Sequence, residues 1–259
     1  SDNRYTGTVV TQLLRLRQQA LLVYVSEEDI QTAEPVSSKA IVSGGSFDVR
    51  SATIRNELSD LEDQGYLMQL HTSGGRVPTA KAYRLYLDWL IAQEGIQINQ
   101  VNRRRIDQNL QECDIADPES VSKNLARAVG SISNALVMAT MSRRPQPYTF
   151  GLSHLMGLPE FQEFHRISGL AQFIDEFELL AQRMWEHRMA SQENSEVKVF
   201  IGGENPVDAI RDETTIVARY RLPQGQEGTL TLVGPMRMDY RKNLGLMIYA
   251  AQIANRIAN

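Results

Sequence analysis

Residues 50–76 read RSATIRNELSDLEDQGYLMQLHTSGGR, and the fold turns on how this stretch divides. From Ser51 to Gln64 the apolar residues Ile54, Leu58 and Leu61 recur at four- and three-residue steps, which puts them on one stripe of a helix, and Gly65 supplies a C-terminal stop. Ala52, Thr53, Arg55, Asn56 and Ser59 fall on the other side of that helix or flank it. The period then changes. Tyr66–Leu70 alternates as a strand does, Thr72-Ser73-Gly74-Gly75 reads as a turn, and Arg76-Val77 starts a return strand that Pro78 ends. A helix with one polar face, followed at once by a glycine-tipped hairpin, predicts a DNA-reading helix and its β-wing.

Working outward, residues 9–30 are a predicted helix with Val9, Leu13, Leu16, Ala20 and Val23 along its apolar stripe. Glu34 precedes Pro35 and is biased out of helix; Ser37 then caps a short helix over 38–43, which Gly44 and Gly45 stop. On the far side of the hairpin Thr79 caps an amphipathic helix to about Ala92, with Tyr83, Tyr86, Leu87 and Leu90 inward. Residues 1–95 are therefore expected to be a winged helix-turn-helix domain.

Residues 96–116 are polar, carry Arg103-Arg104-Arg105, and read as a linker or connecting helix. Asp117-Pro118-Glu119 is a helix start, with Pro in the first turn and acid at the positive end of the dipole; Val121, Leu125, Val129, Ile132 and Leu136 carry that helix on toward Met141. Arg143–Pro147 breaks the pattern. A strand over 148–152, a short helix near Glu160–His165 and a longer helix over about 169–189 follow. Val197–Ile201, Thr215–Arg221 and Gly228–Val233 are β-branched segments bounded by turn residues, and Asp239 caps a final helix reaching Ile257. Residues 117–259 thus form a second, α/β domain, and the class of the whole is α+β.

A chain of 259 residues, 42% hydrophobic and 22% charged, has the composition of a folded protein with room for two domains. It holds no apolar run of about 18 residues, and its opening SDNRYTGTVV lacks the plan of a signal peptide, so a cytoplasmic location away from membranes is expected. Cys113 stands alone and His71, His154, His165 and His187 have no ligand-like spacing, so neither metal nor cofactor is expected. Nucleophile elbow, P-loop, dinucleotide loop and zinc-protease helix are all missing, so the chain does not read as an enzyme.

The chemistry of the first domain points to duplex DNA. Arg55 and Asn56 carry the side chains that pair with guanine and adenine edges in the major groove, with Thr53 and Ser59 beside them. Lys39 on the preceding helix and Arg50 and Ser51 at the helix start suit phosphates, while His71, Thr72, Ser73 and Arg76 place short donors and a cation on the wing. The net charge of −4 runs against this, and residues 1–95 hold nine Lys/Arg against twelve Asp/Glu. Any positive surface must be local, drawn from Arg50, Arg55, Arg76, Lys81 and Arg84.

TAEPVSSKAIV, SATIRNELSDLEDQGYL and HTSGGRVPTAKAYRLYLDWL resemble the N-terminal domain of the heat-inducible transcription repressors, HrcA. YTFGLSHLMGLPEF, VKVFIGGENP, TIVARYRL and GTLTLVGPMRMDY resemble the GAF-like regulatory domain of the same family, in wording and order. The resemblance implies a homodimer that represses chaperone genes from an inverted-repeat operator, with the chaperonin as modulator. It also implies a difference. Family members carry a long stretch before GLSHLMGLPEF, with regulatory-domain strands and an inserted dimerisation region, whereas here only Ser142–Tyr148 follows the helix expected to end near Met141. Two other readings stay open. One is a metabolite-responsive winged-helix regulator with a pocket at Gly202-Gly203-Glu204-Asn205 and Gly234-Pro235, although these residues read first as turn and strand-end chemistry, with Asn205-Pro206 starting a helix. The other is a chaperone-associated adaptor that does not bind DNA.

Overall fold

The computed structural model describes residues 16–70, 74–177 and 197–259, and the chain divides into two compact units after Gly95. In the first unit α1 (Leu16–Thr32), α2 (Ser38–Ser43) and α3 (Ser51–Asp63) precede the hairpin β1 (Leu67–Gln69) and β2 (Arg76–Pro78), and α4 (Ala80–Glu94) closes the unit. Ser37 and Thr79 cap α2 and α4 as their sequence predicts, accepting from Ala40 N and Ala82 N. The core gathers Leu21, Leu22 and Val25 of α1, Val36, Ile41 of α2, Ile54, Leu58 and Leu61 of α3, then Tyr66, Leu67, Ala82 and Leu85. The stripe expected for the first helix needs correcting: Val23 is buried, but Leu16 is 86% exposed and Ala20 is also exposed. Tertiary packing selects Gln18, Leu21, Leu22, Val25 and Asp29 instead, a face rotated from the apolar repeat. Val9 and Leu13 lie outside the described residues.

The second unit opens with α5 (Gln100–Gln111), which buries Asn102, Ile106 and Leu110, so the stretch read as a linker or connecting helix is a packed element. Asp117 caps α6 (Pro118–Ser133) through Glu119 N and Ser120 N, and the helix ends at Asn134, whose φ of 55° is left-handed. Here the expected helix continuation to Met141 fails: Leu136–Met141 is strand β3. β4 (Arg144–Phe150) pairs back on it, so Ser142–Tyr148 is hairpin turn and strand rather than a bare link, and the strand expected over 148–152 starts earlier and ends before Gly151. Next come α7 (Leu152–Met156), a 3-10 turn at Pro159–Gln162 where a short α-helix was expected, and α8 (Phe164–Asp175). The expected helix of 169–189 thus begins earlier, and the part of it beyond Phe177 lies outside the described residues. β5 (Val197–Ile201), β6 (Glu213–Leu222), β7 (Gln226–Pro235) and α9 (Tyr240–Ala258) complete the unit, α9 being capped by Asp239 through Lys242 N.

These strands form one antiparallel sheet in the order β4-β3-β7-β6-β5. Register fixes its two faces. Leu136, Val233 and Phe200, with Met138 and Val217, join Leu155, Phe161, Leu170 and Phe173 in a core on the α7–α8 side. On the other face Tyr220 meets Ser122 of α6 at 2.9 Å and Thr214 meets Tyr240 of α9 at 3.1 Å, hydroxyl to hydroxyl. The sheet is covered on both sides, and the architecture is α+β.

Candidate nucleic-acid interface

The site is built on α3. Ile54, Leu58 and Leu61 are fully buried, which turns the helix so that Arg55, Asn56 and Ser59 are exposed and Ser51 and Thr53 half-buried. Arg50 occupies the N-cap position in an extended conformation and makes no capping bond with its exposed side chain. No acid sits in the first turn of α3, so the positive end of the helix dipole is left uncompensated beside Arg50 and Arg55. Ser51 Oγ lies 3.3 Å from Ser38 Oγ, tying the start of α3 to α2, on which Lys39 is exposed. The structure therefore brings Lys39, Arg50, Ser51, Thr53, Arg55, Asn56 and Ser59 onto adjoining parts of α2 and α3. His71, Thr72 and Ser73 lie outside the described residues.

The acidic residues of α3 explain how an acidic chain can present this surface. Glu57 is 7% exposed and takes the Arg17 guanidinium of α1, and the same carboxylate raises the pKa of Arg17. Glu62 takes the Nε of Arg76 at 2.9 Å. Two negative charges are thus neutralised away from the open face, while Asp60 and Asp63 stand exposed in the C-terminal half. Sequence reasoning missed Glu57 and Glu62. Glu57 had a signal, since it falls three residues after Ile54 and four before Leu61, on the apolar stripe itself. Glu62 and Arg76 had none, because the pairing spans a hairpin.

Arg76 has a partner within the unit: its side chain, on β2 of the hairpin, is 15% exposed and engaged with Glu62. Lys81 is likewise spoken for: Nζ donates to the Gln64 carbonyl at 2.9 Å, at the C-terminal end of α3, and sits 4.1 Å from the centre of the Tyr66 ring. In the second unit Arg103 donates to Tyr249 Oη at 3.2 Å, so the arginine run is not wholly open.

The Gly202–Asn205 part of the segment weighed as a metabolite pocket is tied up in internal hydrogen bonds. Asn205 Nδ2 donates to the carbonyls of Gly202, Ile210 and Glu213, and Glu204 accepts from Ile201 N, so this stretch is a knotted turn with a 3-10 turn at Asp208–Ile210 rather than a helix start. His154 is exposed in the last turn of α7. An open groove of about 400 Å³ lies between α8 and the segment from Asp208 to Glu213. There burial pushes the Glu213 carboxyl up to about 8 against the pull of Arg166, whose Nε is 3.3 Å away. Among the described residues no group of three or more His, Cys, Asp or Glu is placed to hold a metal, and no helix is long and apolar enough to cross a membrane.

Residues 36–244 match the family model of the HrcA protein C-terminal domain. A heat-inducible transcription repressor HrcA from Thermodesulfovibrio yellowstonii is 27% identical over 335 aligned positions, covering 91% of this chain and 95% of that protein. Its namesake from Lachnoclostridium phytofermentans is 25% identical over 319, covering 87% and 92%. That from Chlorobium phaeobacteroides is 38% identical over 129, covering 49% and 36%. An alignment of 335 positions exceeds a chain of 259 residues, so the first relative holds internal residues with no counterpart here. Among solved structures, the crystal structure of a hypothetical protein superposes with a TM-score of 0.76 at 17% identity, covering 94% of this chain and 98% of that one. That likeness speaks for the fold alone.

Proposed function

The chain belongs to the HrcA family of heat-inducible transcription repressors, and from that premise we propose that it represses chaperone genes by binding an inverted-repeat operator as a homodimer. In this reading the first unit is a winged helix-turn-helix: α3 enters the major groove, α2 with Lys39 crosses the backbone, and the β1–β2 hairpin is the wing. Arg55 and Asn56 read base edges; Arg50, Ser51 and Thr53 hold phosphates around the helix N-terminus. The observation that carries the reading is the orientation of α3, whose apolar stripe is buried while Arg55, Asn56 and Ser59 face out. A regulator is what its family makes it, rather than a catalyst.

The second unit is the GAF-like regulatory domain, and a two-fold protein suits a palindromic site because each half-site then meets an identical surface. The chaperonin is the modulator and the cytoplasm the place of action. Selection of bound sites from random duplex DNA, with and without chaperonin, tests all of this. The expected result is a palindromic consensus bound with a steep salt slope, one dimer per site, and tighter when chaperonin is present. Recovery of no consensus at any salt concentration would sink the proposal.

A further inference from the structure

Arg76 is the residue through which three parts of the first unit meet. Its N–H donates to the Val36 carbonyl and its own carbonyl accepts from Val36 N–H, both at 2.9 Å, so the turn before α2 is paired to β2. On the hairpin's other side it faces Gln69 of β1. Its side chain reaches back to the last turn of α3, where Nε meets Glu62 Oε2 at 2.9 Å. With side chains 15% and 32% exposed, this pair is screened less than a surface contact, and the planar guanidinium gives it direction. Next to it Gly75 allows the two segments to abut: a Cβ there would lie 2.5 Å from the Pro35 carbonyl oxygen. The contact commits the Nε–H of Arg76 to Glu62, and with 15% of the side chain exposed little of the guanidinium stands open to a phosphate.

We infer that Arg76 and Glu62 are positioning residues for DNA reading: their ion pair sets the wing against α3, and Arg76 itself touches no phosphate. The inference rests on the DNA-binding function proposed above and deepens it. Wing and helix have to meet one duplex at the same time, and a contact joining β2 to both α3 and the turn before α2 makes the three a single reading surface.

The test measures full-length protein on its selected operator and on random duplex, over a range of salt, for wild type, Glu62→Gln, Arg76→Ala, their combination, and the exchanged pair Arg76→Glu with Glu62→Arg. Melting and hydrogen exchange of the β1–β2 amides are followed alongside. Each single variant is expected to lose about tenfold in operator affinity, to keep its random-duplex affinity and salt slope, and to exchange its hairpin amides faster. The combined variant should be no worse than the poorer single one, and the exchanged pair should regain part of the loss. Operator binding unchanged in Glu62→Gln overturns the inference, as does a salt slope in Arg76→Ala lowered by about one unit, the mark of a lost phosphate contact. Equal losses on both duplexes with a lower melting point would reduce the pair to fold maintenance. If Arg76→Ala does not fold, the isosteric Glu62→Gln decides alone. A wild type that binds no duplex overturns the proposed function and this inference together, whereas impaired Arg55→Ala beside a silent Glu62→Gln overturns only the latter.

Discussion

Helices α3 and α9 show how differently the two units use an amphipathic segment. α3 buries Ile54, Glu57, Leu58 and Leu61 and leaves much of its circumference open. α9 buries Leu244, Leu246, Met247, Tyr249, Ala250, Ala251 and Ala254, because β6 covers it on one side and the α5 region on another. Tyr249 Oη donates to Asp107 of α5 at 2.6 Å, and a Cβ on Gly245 would stand 3.2 Å from Gln97. A helix covered on several sides has spent its surface on holding its unit together. One anchored along a single stripe keeps side chains for another molecule, and the covered sheet of the second unit shows what the first forgoes.

Leu58→Asp should have the largest effect on this contrast. It puts an unpaired charge among Leu21, Ile41 and Ile54 and should cost more than about 4 kcal/mol, removing the first unit's melting transition while the second's survives. Loss of both transitions together would show that the division after Gly95 is not energetic. Smaller losses, about 1–3 kcal/mol of operator affinity each with melting unchanged, are expected from Arg55→Ala and Asn56→Ala. Wild-type affinity in both would mean that α3 does not face the groove.

A pH titration sharpens the comparison from the side of the second unit. Glu213 is held near 8 by burial, against an ordinary 4.5. Between those values the unfolded chain binds fewer protons than the folded one, so stability falls as pH rises through the window and is fully present below it. Glu213→Gln should flatten that fall in the second transition alone; a wild-type transition indifferent to pH would place Glu213 in water. The smallest effect is a gain. Ala33 closes α1 with φ at 58°, a region costly for a residue with a Cβ, and Ala33→Gly should raise the first unit's stability by about 0.5–1 kcal/mol in denaturant unfolding.

What the sequence made legible was local. Ser37, Thr79 and Asp239 cap the helices they were expected to cap, Asp117-Pro118-Glu119 starts α6 as its composition says, and the stripe of α3 points inward as its spacing says. Such features depend on a few neighbouring residues. β3 was misread because Val121, Leu125, Val129, Ile132 and Leu136 keep a helical rhythm straight through Asn134, where the helix ends. Pairing makes the segment a strand, with β4 next to it and, as in Val137 with Leu232, with β7 far along the chain. The partner of Arg76 was illegible for a similar reason. A basic residue on a hairpin looks available until the acid that holds it is known to be Glu62.

Gly75 limits how this protein can diverge. The atom a new side chain would strike belongs to the backbone of Pro35, which cannot swing away as the end of a lysine does. Descendants of this sequence can rewrite what the hairpin displays ahead of Gly74, or what α3 displays, and so drift toward other operators. They cannot shift the hairpin's root without remaking the turn it is stitched to, so its placement is held more tightly than anything it displays.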